Sequence, residues 1–104
     1  MSMALVERHE APFCSRATLI ASGYRKESDV WTCLASVFKW HNEAVNIWSH
    51  LLGALLFFVL YLCNTDQVLT SFCLMLTAGF SASGFFHILC CNSTCASSYF
   101  YAFA

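Results

Sequence analysis

Residues 44–63, AVNIWSHLLGALLFFVLYLC, contain no Asp, Glu, Lys or Arg, and neither do residues 68–91. Twenty helical residues advance about 30 Å, the thickness of a bilayer's hydrocarbon core. Only Asn64-Thr65-Asp66-Gln67 separates the two runs, so they are predicted to be antiparallel transmembrane helices joined by a polar turn at 64–67. Strands are disfavoured: the runs are continuous rather than alternating, and an open hairpin of strands leaves backbone groups unsatisfied in lipid. The expected fold class is all-α membrane, with a two-span helical hairpin at its centre. Composition agrees. The chain is 59% hydrophobic and 11% charged over 104 residues, whereas soluble domains carry roughly 25% charged residues. A chain this short buries only a small core, so the excess apolar surface must face lipid or a partner.

Charge is distributed unevenly. All five basic residues, Arg8, Arg16, Arg25, Lys26 and Lys39, precede the first run, and after Glu43 the only charged residue is Asp66. Basic flanks collect on the cytosolic side, which predicts a multi-pass integral membrane protein with a cytosolic N-terminus, an extracellular or lumenal 64–67 turn and a cytosolic tail at 92–104. Glu7, His9 and Glu10 stand where a signal peptide would need an apolar stretch. Residues 1–28 read as a loosely ordered cytosolic arm with a turn at Ser22-Gly23-Tyr24-Arg25. Ser28 or Asp29 is a suitable cap for a helix beginning near Val30. Trp31, Leu34, Ala35 and Phe38 then recur at helical spacing, so 29–43 is predicted as an interfacial helix, with an early extension of the first span as the competing reading. Trp40 and Trp48 suit the headgroup zone. Asn92-Ser93-Thr94 is a glycosylation sequon that this topology leaves in the cytosol, unmodified. Membrane lipid is the expected partner, and nucleic acid is not expected.

Polar groups inside apolar runs are costly and point to function. Gly79, Ser83, His87 and Cys91 fall at successive i+4 positions and share one helix face. Small residues there permit close approach of another helix. A neutral imidazole at His87 is a suitable metal ligand, although bonding within the helix or an interfacial position explains it equally. Ser83 either supports the ring or packs against a helix. On the first span Glu43, Asn46 and His50 share a face. Glu43 lies about 22 residues before the middle of the turn and His87 about 21 after it, so a straight hairpin sets them level. The alternative role for Glu43 is simple complementarity to a helix N-terminus.

Seven cysteines invite a disulfide or metal reading. Cys33, Cys63, Cys73 and Cys90 sit in apolar stretches, where cysteine behaves as a small hydrophobe, and Cys90-Cys91-x3-Cys95 lacks the paired spacing of zinc fingers. Cys14 is read as structural or incidental too. Cys91 and Cys95 are juxtamembrane and are candidates for lipidation.

Several stretches resemble the progestin and adipoQ receptor (PAQR) family, seven-span proteins related to haemolysin III. These are Gly23-Tyr24-Arg25; Ser36-Val37-Phe38; His41-Asn42-Glu43; Asn46-Ile47-Trp48-Ser49-His50-Leu51-Leu52-Gly53; and Ser83-x3-His87 followed by Cys91-Asn92-Ser93. The resemblance runs from about Ile20 to Ser93 and implies that the hairpin is the first part of a seven-helix bundle. It also implies a zinc ion near the cytosolic face, with His87 as one ligand, two more from an H-x-x-x-H on the seventh span, and an Asp near the third span supporting a zinc-bound water. Some family members resemble ceramide hydrolases, and others are described as steroid or adiponectin receptors. Neither the H-x-x-x-H nor the Asp is present here, and Glu43-Ala44-Val45 replaces the commoner Glu-Thr-Val. Zinc requires three or four ligands, so the chain alone is expected to bind none and to have no enzymatic activity. The leading expectation is a truncated receptor-family member: an N-terminal fragment, a truncated isoform or an incomplete gene model. Such a chain would partner full-length relatives or self-associate. The alternatives are a fragment of a zinc-dependent lipid amide hydrolase and a two-span membrane assembly subunit.

Overall fold

The computed structural model describes residues 5–12 and 16–95. Two helices dominate it: α2 (Ala44–Cys63, 20 residues) and α3 (Gln67–Leu89, 23 residues). Both are long and apolar enough to cross a membrane. The predicted 64–67 turn is one residue shorter, because Asp66 caps α3 by accepting from Leu69 N at 3.0 Å. Asn64 supports the turn by accepting from Asp66 N and donating to Thr70 Oγ1. The second helix ends at Leu89 rather than at Cys91.

The helices meet where side chains are smallest. A Cβ on Gly84 would lie 3.2 Å from Leu51 Cδ2, and one on Gly53 would lie 3.4 Å from the Phe80 ring. Phe57 and Phe80 stack with centroids 5.7 Å apart. The outer surfaces are different: Leu52, Leu55 and Leu62 of α2 and Val68, Phe72 and Met75 of α3 are exposed. That apolar surface needs lipid or other helices around it.

The segment before α2 corrects the sequence reading. The arm is not loose. Leu5–Glu7 (β1) and Ser22–Arg25 (β2) pair antiparallel, with a bulge between Val6 and Glu7. Gly23 takes φ 85° there, a conformation that glycine adopts without steric cost. Tyr24 is fully buried, and its hydroxyl accepts from Ala17 N and donates to the carbonyl side of the 17–20 turn, lying 2.9 Å from Ala17 O and 2.7 Å from Ile20 O. A three-residue strand with no alternating pattern offers little signal, which is why the pairing was not legible beforehand.

The interfacial helix predicted over 29–43 is also shorter. α1 spans Val30–Ala35, capped by Asp29 accepting from Thr32 N at 3.2 Å. It tightens to a 3₁₀ turn at Ser36–Phe38 and ends in extended backbone at Lys39. Trp48 Nε1 donates to Val37 O at 2.9 Å, so the 3₁₀ turn is tied to α2. Cys14 and most of the predicted tail, residues 96–104, lie outside the described residues.

Candidate functional site

The arm closes over the C-terminal end of α3. Arg25 is fully buried. Its Nη1 donates to Ile88 O at 2.6 Å and Ser36 Oγ at 2.8 Å, and its Nη2 to His87 O at 2.5 Å and Cys90 Sγ at 3.4 Å. A helix C-terminus carries unsatisfied carbonyls and partial negative charge, so a guanidinium is well matched to it. Burial pulls Arg25 below its ordinary pKa, with Cys90 and Glu43 opposing that shift. Ser28 N donates to Cys91 O, and Asn92 Nδ2 donates to Ser28 O, both at 3.0 Å.

Beside this cap lies a polar chain. His41 Nδ1 accepts from Glu43 N at 3.1 Å. A backbone N–H can only donate, so the proton of neutral His41 sits on Nε2, which donates to Ser36 O at 2.9 Å. Burial, then the Arg25 charge, holds His41 below its ordinary pKa. Glu43 follows as the residue preceding α2. Its Oε2 receives Asn46 Nδ2 at 3.1 Å and His87 Nδ1 at 2.7 Å. Burial pushes the Glu43 carboxyl up, but the hydrogen bonds from His87 and Asn46 outweigh it and hold it below the usual carboxylate range. An ionised Oε2 only accepts, so His87 Nδ1 carries the proton of this contact, and in the neutral imidazole Nε2 is then the nitrogen with the lone pair.

The structure thus brings Glu43, Asn46 and His87 together. His50 joins through its ring, edge-to-face with His87 at 5.0 Å. His50 Nδ1 is buried and has no hydrogen-bond partner among the described residues. Ser83 does not bond to this chain of groups. It lines a groove of about 300 Å³ with His50, Met75, Leu76, Gly79 and Phe80. Arg25, Ser36 and His41 belong to this site although spacing and composition do not mark them as site residues. The only signal was their place in the Gly-Tyr-Arg, Ser-Val-Phe and His-Asn-Glu stretches.

Two cysteine assignments change: Cys33, expected to act as a small hydrophobe, and Cys91. Cys91 is joined to Cys33 by a disulfide and is fully buried, so it is not available for the lipidation envisaged for it. Cys95 is partly exposed. At the sequon, Asn92 Nδ2 is engaged by Ser28 O, and Oδ1 accepts from Cys95 N at 3.0 Å. The amide that a glycan would modify is therefore already committed.

Residues 38–103 match the family described as haemolysin-III related. The chain belongs to this family. It is 44% identical over 64 residues to heptahelical transmembrane protein ADIPOR1 of Oryza sativa subsp. japonica, covering 61% of this chain and 17% of that protein. It is 48% identical over 52 residues to human progestin and adipoQ receptor family member 3, covering 50% and 17% respectively. The ADIPOR-like receptor IZH1 of Eremothecium gossypii is 37% identical over 82 residues, covering 72% of this chain and 26% of that protein. This PAQR/haemolysin-III-related chain therefore spans about a sixth to a quarter of the length of these relatives. No solved structure matches it.

Zinc is the metal that the family resemblance implies, and the donor set tests the fit. His87, with Nδ1 held by a carboxylate, has the arrangement typical of a metal-binding histidine, whose neutral ring would offer Nε2 to the metal. Yet no group of three or more His, Cys, Asp or Glu among the described residues is placed to hold a metal. The residues suit one position in a zinc coordination shell and do not make a complete site.

Proposed function

We propose that this chain supplies the first two membrane helices of a PAQR-type bundle and one oriented histidine of its zinc centre, within a protein acting as a membrane receptor. The carrying observation is the 2.7 Å contact between Glu43 Oε2 and His87 Nδ1. It selects the tautomer that a metal needs and sets the ring's orientation before any metal arrives. The receptor reading is supported by the names of the relatives, two of which are called receptors or receptor-family members. The arm would lie in the cytosol, since every Lys and Arg precedes α2. The remaining zinc ligands would come from other helices of such a bundle, in the same polypeptide or in an associated copy.

A second reading, a zinc-dependent lipid amide hydrolase, draws on the same contact and on the groove beside His50. When bound, zinc would supply Lewis acidity to such a reaction. This chain's own part would be to present His87 and to exclude water with the apolar lining at Met75, Leu76 and Phe80.

The test is elemental analysis of the full chain purified from membranes, alone and after co-expression with a full-length relative. Stoichiometric zinc is expected only where further ligands are present, with loss on His87→Ala. A full complement of zinc on the isolated monomer, unchanged by His87→Ala, would rule the reading out. Ceramide turnover by the co-expressed assembly, lost on His87→Ala, would favour the hydrolase over the receptor.

A further inference from the structure

The disulfide between Cys33 and Cys91 joins residues 58 positions apart, and it lies outside the Glu43–His87 site. Its setting is unusual. Cys33 is the only buried residue of α1, while Trp31 and Val30 of that helix are exposed. A helix of six residues has little stability of its own. Within α1 itself, the Cys33–Cys91 bond is therefore the principal tie to the end of α3.

The flanking segments are held differently. Arg25 is anchored on the carbonyls of His87 and Ile88. Ser28 N, immediately before α1, bonds to Cys91 O, and Asn92 Nδ2 returns to Ser28 O. After α1, Trp48 Nε1 holds Val37 O. None of these contacts involves the disulfide. They keep both ends of α1 in place when the sulfurs separate, so the thiols remain close enough to rejoin.

We propose that Cys33 and Cys91 form a redox-reversible latch that secures α1 against the end of α3, exchanging with a small thiol–disulfide couple of the glutathione class. A thiolate of the small thiol attacks one sulfur, forming a mixed disulfide and releasing the other cysteine as a thiolate, which takes up a proton. A second small thiol attacks the mixed disulfide and releases the remaining cysteine. The net reaction converts one protein disulfide and two small thiols into two protein thiols and one small disulfide. Both cysteines are fully buried, so exchange waits on local opening of α1. If the basic arm is cytosolic, as proposed above, the latch stands in a reducing compartment, where disulfides are chiefly transient and redox-sensing.

Opening the latch reaches the polar chain through Ser36. Ser36 Oγ donates to Cys33 O at 2.6 Å, while Ser36 O receives His41 Nε2. His41 in turn accepts from the backbone of Glu43.

The test uses the full chain in detergent micelles equilibrated against graded ratios of reduced to oxidised glutathione. Thiols are trapped with a mass-tagged alkylating reagent before digestion, and hydrogen exchange is read at each end of the titration. The expectation is that Cys33 and Cys91 become alkylated together, in a single reversible step. On reduction, amides of residues 30–38 should exchange roughly 30-fold faster or more, as the loss of a typical disulfide constraint implies. Amides of 70–85 should not change. The paired substitution Cys33→Ser with Cys91→Ser should reproduce the reduced pattern. Alkylation of both cysteines at every ratio would overturn the proposal, as would unchanged exchange at 30–38 after reduction. The experiment needs neither zinc nor a known orientation, so its failure is distinguishable from failure of the zinc reading.

Discussion

Arg25 Nη2 donates to the backbone carbonyl of His87 at 2.5 Å across 62 residues of sequence. The contact joins β2 to the helix carrying the candidate ligand. It makes the arm part of the site's support, because the carbonyls capped by Arg25 belong to His87 and its neighbour Ile88.

Arg25→Met should leave those carbonyls and Ser36 Oγ without their donor in a buried setting. Losing charge-assisted hydrogen bonds of this kind costs about 2–3 kcal/mol. Thermal unfolding in detergent, followed by helix circular dichroism, measures it. Arg25→Lys should recover only part of the loss, because a single ammonium lacks the fork that spans four acceptors. Equal stability of the Lys variant and the native chain would count against the capping role.

Glu43→Gln should change the chemistry of His87 more than its position. The amide places either oxygen or nitrogen against Nδ1, so His87 should lose its bias toward the Nδ1–H tautomer. Imidazole ¹⁵N shifts of selectively labelled protein report this directly. In a zinc-loaded assembly the same change should weaken metal affinity by about 10- to 100-fold. Identical ¹⁵N spectra for the two chains would show that the carboxylate does not set the tautomer.

The His41 contacts predict an acid-sensitive arm. Its folded pKa is lowered by burial and by Arg25, so the folded state holds fewer protons on His41 than the unfolded state does. Its contribution to stability is present above the unfolded value of about 6.5. It is lost as the pH falls through the lower folded value, when Nδ1 gains a proton and can no longer accept from Glu43 N. Glu43 adds a second loss at more acid pH, since its carboxyl is also held below the usual range. Melting temperature should fall between pH 7 and pH 5 (a span set by about 6.5 for the unfolded imidazole), and the slope should be shallower in His41→Gln. Parallel curves for the two proteins would contradict this.

Gly84 tests how closely α2 and α3 approach. Gly84→Ala sets a helix-propensity gain of about 1 kcal/mol against a 3.2 Å contact with the flexible end of Leu51, so a change within about 1 kcal/mol is expected. Gly84→Ile has no such room. Overpacking there should cost about 1–3 kcal/mol, read as a lower melting temperature in detergent. A fully stable Ile variant would mean that the hairpin is looser than described.

The hairpin could be read from sequence because its cause is local and continuous. Twenty apolar residues, a four-residue polar break and another apolar run leave few arrangements for a backbone that must satisfy its hydrogen bonds without water. Counting residues from the turn set Glu43 and His87 level, and the structure places them 2.7 Å apart. The arm is a different case. Its sheet is three to four residues a strand, and the docking of Arg25, the Cys33–Cys91 bond and the Ser28–Asn92 exchange each join residues about sixty positions apart. Composition marked Arg25 only as one of five cations and Cys91 only as one of seven thiols. Apolar length and short-range spacing determined the two helices and the level of their polar groups. Which charge caps the helix, which sulfurs meet and which imidazole nitrogen is held were decided by tertiary contact alone, because each depends on bringing distant segments within hydrogen-bonding reach.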